Sequence, residues 1–300
     1  MAEMVRERSD TTAVLIAGPT ASGKSALALR LAEELGGAVV NADSMQVYRC
    51  IPILTAQPST AERKRLPHCL YGHIDPMQDY SVGAWMREIE RVLTELRKKG
   101  RVPVIVGGTG LYFRALLGGL DAMPSIPSNI RNRLRKRVGL EGSDALHTEL
   151  AIRDPEAAAS IRPSDPQRVV RALELIETTG QTLASIQQRR GAPLVDVVTT
   201  TKIVLTPQRS DLRERIALRF AAMLQDGALE EAARFRSLAV PAERTAAKAI
   251  GLAELADHIE GRATLDVAVE RAVARSRQYA KRQETWFRHQ LGDDWERLPV

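Results

Sequence analysis

The plainest chemistry in this 300-residue chain lies in eight consecutive residues, Gly18-Pro19-Thr20-Ala21-Ser22-Gly23-Lys24-Ser25. Two glycines separated by four residues and followed by Lys and Ser form the phosphate-loop spacing. Glycines let backbone N–H groups curl round an oxyanion, and a helix that starts there adds the positive end of its dipole. Lys24 brings a point charge to a terminal phosphate, and the Ser25 hydroxyl is suited to a Mg²⁺ ion. Residues 18–25 are therefore the expected phosphate-binding set, with Ser25 the metal ligand.

A phosphate loop does not say what is transferred. Nucleotide hydrolases place an Asp at the end of another core strand to hold the metal. Here the apolar run Val102–Val106 ends in Gly107-Gly108-Thr109 and offers no carboxylate, which argues against a motor or a switch. The carboxylate instead is Asp43, just after the run that begins at Ala38. Parallel strands point their carboxyl ends at one edge, where ligands bind, so Asp43 is expected near the phosphate loop. Two readings of it stand: a general base toward an incoming nucleophile, or a turn cap. Thr109, set among three glycines, is either a phosphate-reaching hydroxyl or part of a tight turn.

Basic residues gather in two places. Arg131, Arg133, Arg135, Lys136 and Arg137 fall within seven residues. Near the C-terminus, Arg271, Arg275, Arg277, Lys281, Arg282 and Arg288 are interleaved with Gln278, Tyr279, Trp286 and Phe287. Such mixtures suit phosphates and unstacked bases, and they also describe a solvated face over an aromatic contact. The dense first cluster favours a polyanion. Gln167-Arg168-Val169-Val170-Arg171, opening a helix after Asp165-Pro166, adds donors. His68, Cys69, His73 and Asp75 have no standard zinc spacing.

The elements that must position these residues alternate. Ala13–Ala17, Ala38 to Asp43 and Arg101–Val106 read as strands; Ser25–Leu35 and Ala84–Lys99 read as amphipathic helices. Pro52–Pro76 reads as mostly loop, with Met123–Pro127 as a hinge. From Ser128 to about Gln188 the pattern is helical without strands; a strand returns at Lys202–Leu205, and helices follow over Asp211–Phe235 and Asp266–Leu291. The expected fold is α/β: a P-loop NTPase-like parallel sheet flanked by helices (1–124 and 201–300) with an inserted all-helical domain (125–200).

Composition bounds the rest. Hydrophobic residues make up 44% and charged residues 27%, which excludes fibrous and largely disordered classes. No apolar run approaches the ~20 residues of a membrane span, so no membrane association is expected. Residues 1–12 carry no apolar core, so no secretory leader is expected. Two cysteines make no disulfide scaffold and fit a reducing cytosol. The net charge of +6 is compatible with a polyanionic partner without requiring one.

Taken together, GPTASGKS at 18–25, NADSMQVYR at 41–49, VGGTGLY at 106–112, DPQRVVRALE at 165–174 and RQYAKRQETW at 277–286 resemble the tRNA dimethylallyltransferases, in the same order and over Ala13 to Arg288. The resemblance implies transfer of a dimethylallyl group from dimethylallyl diphosphate to N6 of adenosine-37, beside the tRNA anticodon, by a monomeric cytoplasmic enzyme. It implies that residues 18–25 hold the donor diphosphate with Mg²⁺, that Asp43 takes the N6 proton, and that Lys24, Thr109 and Arg277 stabilise the leaving group. It also implies that Ser44, Met45 and Gln46 position the flipped base beside Asp43 and Thr109, and that Arg131 and Gln167–Arg171 hold the anticodon stem-loop. The chain departs from the family pattern at Pro52, Leu54 and Gln57, which replace an Asp, a Gly and a Lys, and at Leu252 and Ala253. Other readings are prenylation of free adenine nucleotides, a small-molecule kinase, and a non-catalytic RNA-binding protein.

Overall fold

A computed structural model describes residues 11–119, 124–186 and 191–300. Residues 1–10, Met123 of the expected hinge and Gln188 at the end of the expected helical stretch lie outside the described residues. The described chain divides into two compact units, 1–117 with 193–300, and 118–192.

The first unit is built on six parallel strands in the order β3-β2-β4-β1-β5-β6. They are β1 (Ala13–Ala17), β2 (Ala38–Asn41), β3 (His68–Cys69), β4 (Pro103–Gly107), β5 (Thr200–Thr206) and β6 (Glu296–Pro299). β1, β2 and β4 are buried at every position, which is why they read as unbroken apolar runs rather than alternating ones. Central β1 pairs with β4 from Val14↔Val104 to Ala17↔Gly107, so the phosphate loop and the Gly107–Gly110 turn leave the sheet at one edge.

Helices cover both faces. α1 (Lys24–Glu34) packs Leu27, Leu31 and Ala28 with Val14 and Ile16 on one face; α3 (Val82–Lys98) packs Trp85, Ile89, Leu93 and Leu96 with Leu15 and Val40 on the other. The short helices α2 (Thr60–Arg65) and α4 (Gly110–Leu116) lie between strands. The segment expected to be loop thus contains α2 and β3. Ser59 and Glu62 form a reciprocal cap that starts α2, so a six-residue helix forms without a buried face.

The 118–192 unit holds α5 (Ser128–Glu141), α6 (Ser143–Arg153), α7 (Pro155–Ser160), α8 (Pro166–Thr179) and α9 (Leu183–Ile186), with no strand among its described residues. Its own core gathers Leu134, Leu146, Leu150, Val169, Leu173 and Ile176. The sequence places the helical insertion at 125–200, whereas the compact unit ends at 192. Beyond it, Leu194 N–H bonds the Leu116 carbonyl at 2.9 Å and Val195 joins the sheet's core.

The first unit closes with α10 (Arg209–Gln225), α11 (Ala228–Ser237), α12 (Leu252–Ile259) and α13 (Leu265–Gln290). The single helix expected over Asp211–Phe235 breaks at Gly227, whose φ of 98° belongs to the left-handed region. No helix of the described residues is long and apolar enough to cross a membrane.

Candidate active site

The phosphate loop sits between β1 and α1, in the context its spacing demands. Gly23 caps α1 at φ 88°, and a Cβ on Gly18 would stand 2.7 Å from the Ser22 hydroxyl. Gly18 is favoured by close contact and Gly23 by its left-handed backbone, since an added Cβ at Gly23 would meet open space. Lys24 is buried and its ammonium donates to the Pro19 carbonyl at 3.2 Å. Burial lowers its pKa to about 8; nearby Arg219 pushes the same way and Asp43 opposes. An anion bound in the loop would stabilise the charged form that burial disfavours.

Two features bear on metal and phosphate. The Ser22 hydroxyl is buried with no hydrogen-bond partner, a polar atom awaiting a ligand. Ser25 is exposed on the first turn of α1, a hard oxygen donor of the type Mg²⁺ takes alongside substrate phosphates. The donor set fits Mg²⁺ held largely by the substrate. No cluster of three or more His, Cys, Asp or Glu able to hold a metal exists among the described residues. The His68–Asp75 segment instead uses His73 to bond Glu88 at 2.7 Å and His68 to meet the Leu66 carbonyl at 3.0 Å.

Asp43 is set by Asn41. The Asn41 side chain is buried at the end of β2; its Oδ1 accepts from Asp43 N–H at 2.8 Å, and its Nδ2 donates to the Asp43 and Leu70 carbonyls. Asp43 Oδ1 in turn accepts from Met45 N–H at 2.9 Å. Oδ2 makes no hydrogen bond with the described residues, which leaves it for a substrate. Thr109 holds the same loop: its hydroxyl accepts from Ser44 N–H at 2.9 Å and pairs with the Ser44 hydroxyl at 3.3 Å. Its N–H reaches the Ala42 carbonyl at 3.2 Å. This approach requires Gly107, where a Cβ would lie 2.0 Å from the Ala42 oxygen.

Phosphate loop and Asp43 meet at a cavity of about 400 Å³. Thr20, Asp43, Ser44, Arg219 and Arg282 supply its polar wall; Met45, Leu54, Phe220, Met223 and Tyr279 supply an apolar one. A lining that mixes charged and polar groups with apolar side chains suits a ligand with a charged head and a hydrocarbon or aromatic body.

Two residues of this site were not singled out by sequence reasoning. Arg219, on α10, donates to the Thr20 hydroxyl, and burial lowers its pKa while Asp43 opposes. Buried Gln283, on α13, accepts from Thr20 N–H at 2.8 Å and donates to the Gly108 carbonyl at 2.9 Å, joining the loops after β1 and β4. Gln283 lies inside the quoted RQYAKRQETW segment, among polar residues of which nothing in the sequence marks it as buried.

Some expected site residues lie elsewhere. Arg277 is exposed on α13 and lines a separate groove, whereas Arg219 lines the cavity. A helix with many arginines gave no means of choosing. Gln46 donates to the Thr55 and Ala56 carbonyls, so it braces the 50–57 loop. Val169 and Val170 are buried in the helical unit's core, because α8 turns that face inward; Gln167 and Arg168 are exposed and Arg171 is half-buried against Glu174. Arg131 also faces Glu174, at 3.9 Å.

The departures at 52–57 have structural partners. Glu231 accepts from Ile53 and Leu54 N–H at 2.9 and 2.8 Å, and Gln57 donates to the Tyr48 carbonyl at 2.8 Å. Leu54 rests on Gly251, where a Cβ would stand 2.7 Å from Leu54 Cδ2. Leu252 is buried in the same core.

Residues 46–290 match the family model described as IPP transferase, and residues 11–69 match that described as isopentenyl transferase. The chain is 52% identical to the tRNA dimethylallyltransferase of Rhizobium meliloti strain 1021, over 96% of this chain and 95% of that one. It is 51% identical to the tRNA dimethylallyltransferase of Agrobacterium fabrum strain C58, over 95% and 96%. Among solved structures, the full-length tRNA isopentenylpyrophosphate transferase from Bacillus halodurans matches at 34% identity and a TM-score of 0.67, covering 96% of this chain and 90% of that one. A eukaryotic dimethylallyltransferase solved acting on tRNA matches at 27% identity and a TM-score of 0.81, covering 96% and 73%.

Proposed function

The chain belongs to the tRNA dimethylallyltransferase family, and from that premise we propose that it moves a dimethylallyl group from dimethylallyl diphosphate to N6 of adenosine-37 in the tRNA anticodon loop. The observation that carries the reading is the convergence of Asp43, the phosphate loop and Arg219 on one half-apolar cavity.

The chemistry follows from the side chains. The donor diphosphate takes the phosphate loop, where backbone N–H groups, Lys24 and the Ser22 hydroxyl face it. The adenine N6 is a weak nucleophile because its lone pair is delocalised into the ring. Asp43 Oδ2 accepts its hydrogen bond and then its proton as N6 bonds to the donor's first carbon. The carbon–oxygen bond breaks and its electron pair leaves on diphosphate. Lys24 and Arg219 stabilise the charge that builds there. Ser25 would help hold Mg²⁺, which would supply further neutralisation of the leaving group when bound. Thr109 acts through Ser44, by fixing the loop that carries Asp43.

The stacked target base must leave the anticodon loop to reach Asp43. Ser44 and Met45 in the cavity wall are suited to receive it. The reading implies a cytoplasmic, monomeric enzyme.

The test is nucleoside mass spectrometry after incubating protein, Mg²⁺ and dimethylallyl diphosphate with unmodified tRNA, and with AMP in parallel. Adenosine from tRNA gaining one C₅H₈ unit, with AMP untouched, is the expected result. Alkylated AMP with untouched tRNA would move the chain to free-nucleotide prenylation.

A further inference from the structure

The cations of the helical unit are largely engaged with its own carboxylates. Arg131 and Arg171 face Glu174, Arg133 and Arg153 meet Glu177, and Arg137 reaches both Glu141 and Glu149 at 2.8 Å. Such pairs hold little energy at a surface, yet any polyanion arriving there competes with a carboxylate already in place.

The face where α10 packs against α13 differs. Arg209 and Arg213 on α10, with Arg277 and Lys281 on α13, line one open groove of about 310 Å³. All four are exposed. Among the described residues none of the four has an ion pair or a side-chain hydrogen bond. Glu284 is the only carboxylate lining the groove.

The spacing is regular. Arg209 and Arg213 are four residues apart, as are Arg277 and Lys281, so each pair advances about 6 Å along its helix. That is a step suited to successive phosphates of one strand. The lining continues past Arg209 and Glu284 into a second groove, which adds Arg288 and reaches Pro19 on the outside of the phosphate loop. Ile216 and Gln278 are shared walls between the first groove and the Asp43 cavity. A backbone lying in the groove therefore passes beside the place where a flipped base would be received.

We propose that the α10–α13 groove is a docking track for the phosphate backbone of the substrate RNA, with Arg213 and Lys281 on its two walls as the central contacts. This rests on the tRNA-modifying reading above. A single small diphosphate is a poorer fit, because the buried phosphate loop already supplies that site. Dispersed exposed cations gain most from a polyanion, through release of its counterions.

The test measures binding of the full chain to unmodified tRNA by fluorescence anisotropy across a salt series, and binding of a non-transferable thiodiphosphate analogue of the donor. Arg213→Gln/Lys281→Gln is compared with Arg133→Gln/Lys136→Gln in the helical unit; all four side chains are exposed, and thermal melting verifies folding. The groove variant is expected to lose on the order of tenfold in tRNA affinity, with a log–log salt slope smaller by about 1.5, two contacts at about 0.7–0.9 each. Its analogue affinity should stay at the wild-type value, and Arg213→Lys should restore most of the slope. A wild-type slope in the groove variant overturns the proposal. So does a loss confined to the donor analogue, which would make the groove a diphosphate funnel. Wild-type protein that binds tRNA without alkylating it defeats the proposed function and leaves the slope comparison decisive for the groove; wild-type protein that does not bind tRNA defeats both.

Discussion

The side-chain amide of Gln283 accepts the backbone N–H of Thr20 at 2.8 Å, although 263 residues separate them. Its other end donates to the Gly108 carbonyl, so one buried group closes the phosphate loop against the loop that carries Thr109. Replacement by a similar-sized apolar residue leaves both backbone groups without partners. At about 1–3 kcal/mol for each, Gln283→Leu should lower unfolding stability by about 2–6 kcal/mol. It should also raise the donor KM more than it lowers kcat, because the cradle loosens while Asp43 keeps its own supports. Denaturant unfolding and steady-state kinetics together check this. Unchanged stability would mean the two backbone groups find other partners.

Asp43→Asn preserves shape and removes the base. Asn41, Met45 and the Thr109–Ser44 bond still hold the loop. Single-turnover transfer is therefore expected to fall by about 10²–10⁴, with tRNA and donor affinities within a few-fold of wild type. Transfer at the wild-type rate would remove Asp43 from the mechanism.

Arg219 reaches the Thr20 hydroxyl from α10 and shares the field of Lys24 and Asp43. Its contribution should be largest when charge has moved onto the leaving oxygen. Arg219→Met is expected to lower kcat by about 10²–10³, and Arg219→Lys to recover only part of it, since an ammonium lacks the planar fork. A variant that raises donor KM with kcat unchanged would show uniform binding instead.

These residues also mark what was legible in the sequence. β1 lies where its apolar run stands, and Gly18–Ser25 forms the loop that its spacing demands. Both are local: burial on two faces writes a continuous apolar run, and a tight turn writes glycine. Arg219 and Gln283 owe their roles to partners about 200 and 263 residues away. On α10 and α13 they stand among many polar residues with nothing local to distinguish them. β6 escaped notice for a related reason. Its burial alternates between half-buried and exposed at the sheet's edge, so Glu296–Pro299 carries no apolar run. Arg277 shows the same limit from the other side: its residue type suits a phosphate, but which helix turns an arginine into the cavity is decided by packing that its own segment does not record.

Gly107 is the point where β4 passes under residue 42. A Cβ there would stand 2.0 Å from the Ala42 carbonyl oxygen and 2.7 Å from its Cα. Both obstacles are backbone, so no side-chain rotation relieves them. Gly107→Ala must part β4 from the residue 42 turn, breaking the Thr109 N–H bond to Ala42 and carrying Asp43 away from the phosphate loop. Transfer should be lost even where far-UV circular dichroism retains the helical signal. Gly139→Ala, on α5 of the helical unit with open space around it, serves as the control and should leave melting temperature the same or higher. Full activity in the Gly107 variant would mean that the loop after β2 tolerates the displacement.

Lys24 makes donor binding sensitive to pH, and the sign can be worked out. Burial holds its pKa at about 8 in the donor-free protein, below the ordinary 10.5. A lysine whose folded pKa is depressed costs stability while charged, fully so below about 8. The cost disappears as pH rises from about 8 toward 10.5. A diphosphate in the loop reverses the balance, because its negative charge favours the ammonium and raises the pKa of the complex. Between the two values the free protein must take up a proton to bind. Donor-analogue affinity is therefore expected to be flat below about pH 8 and to fall by about tenfold per pH unit above it. Calorimetry in buffers of different ionisation enthalpy should register uptake of close to one proton at about pH 9. Lys24→Met should bind more weakly at every pH and show neither the slope nor the proton uptake. A wild-type affinity that stays level from pH 8 to about 10 would mean the ammonium is already charged in the free loop, and that something other than burial sets its pKa.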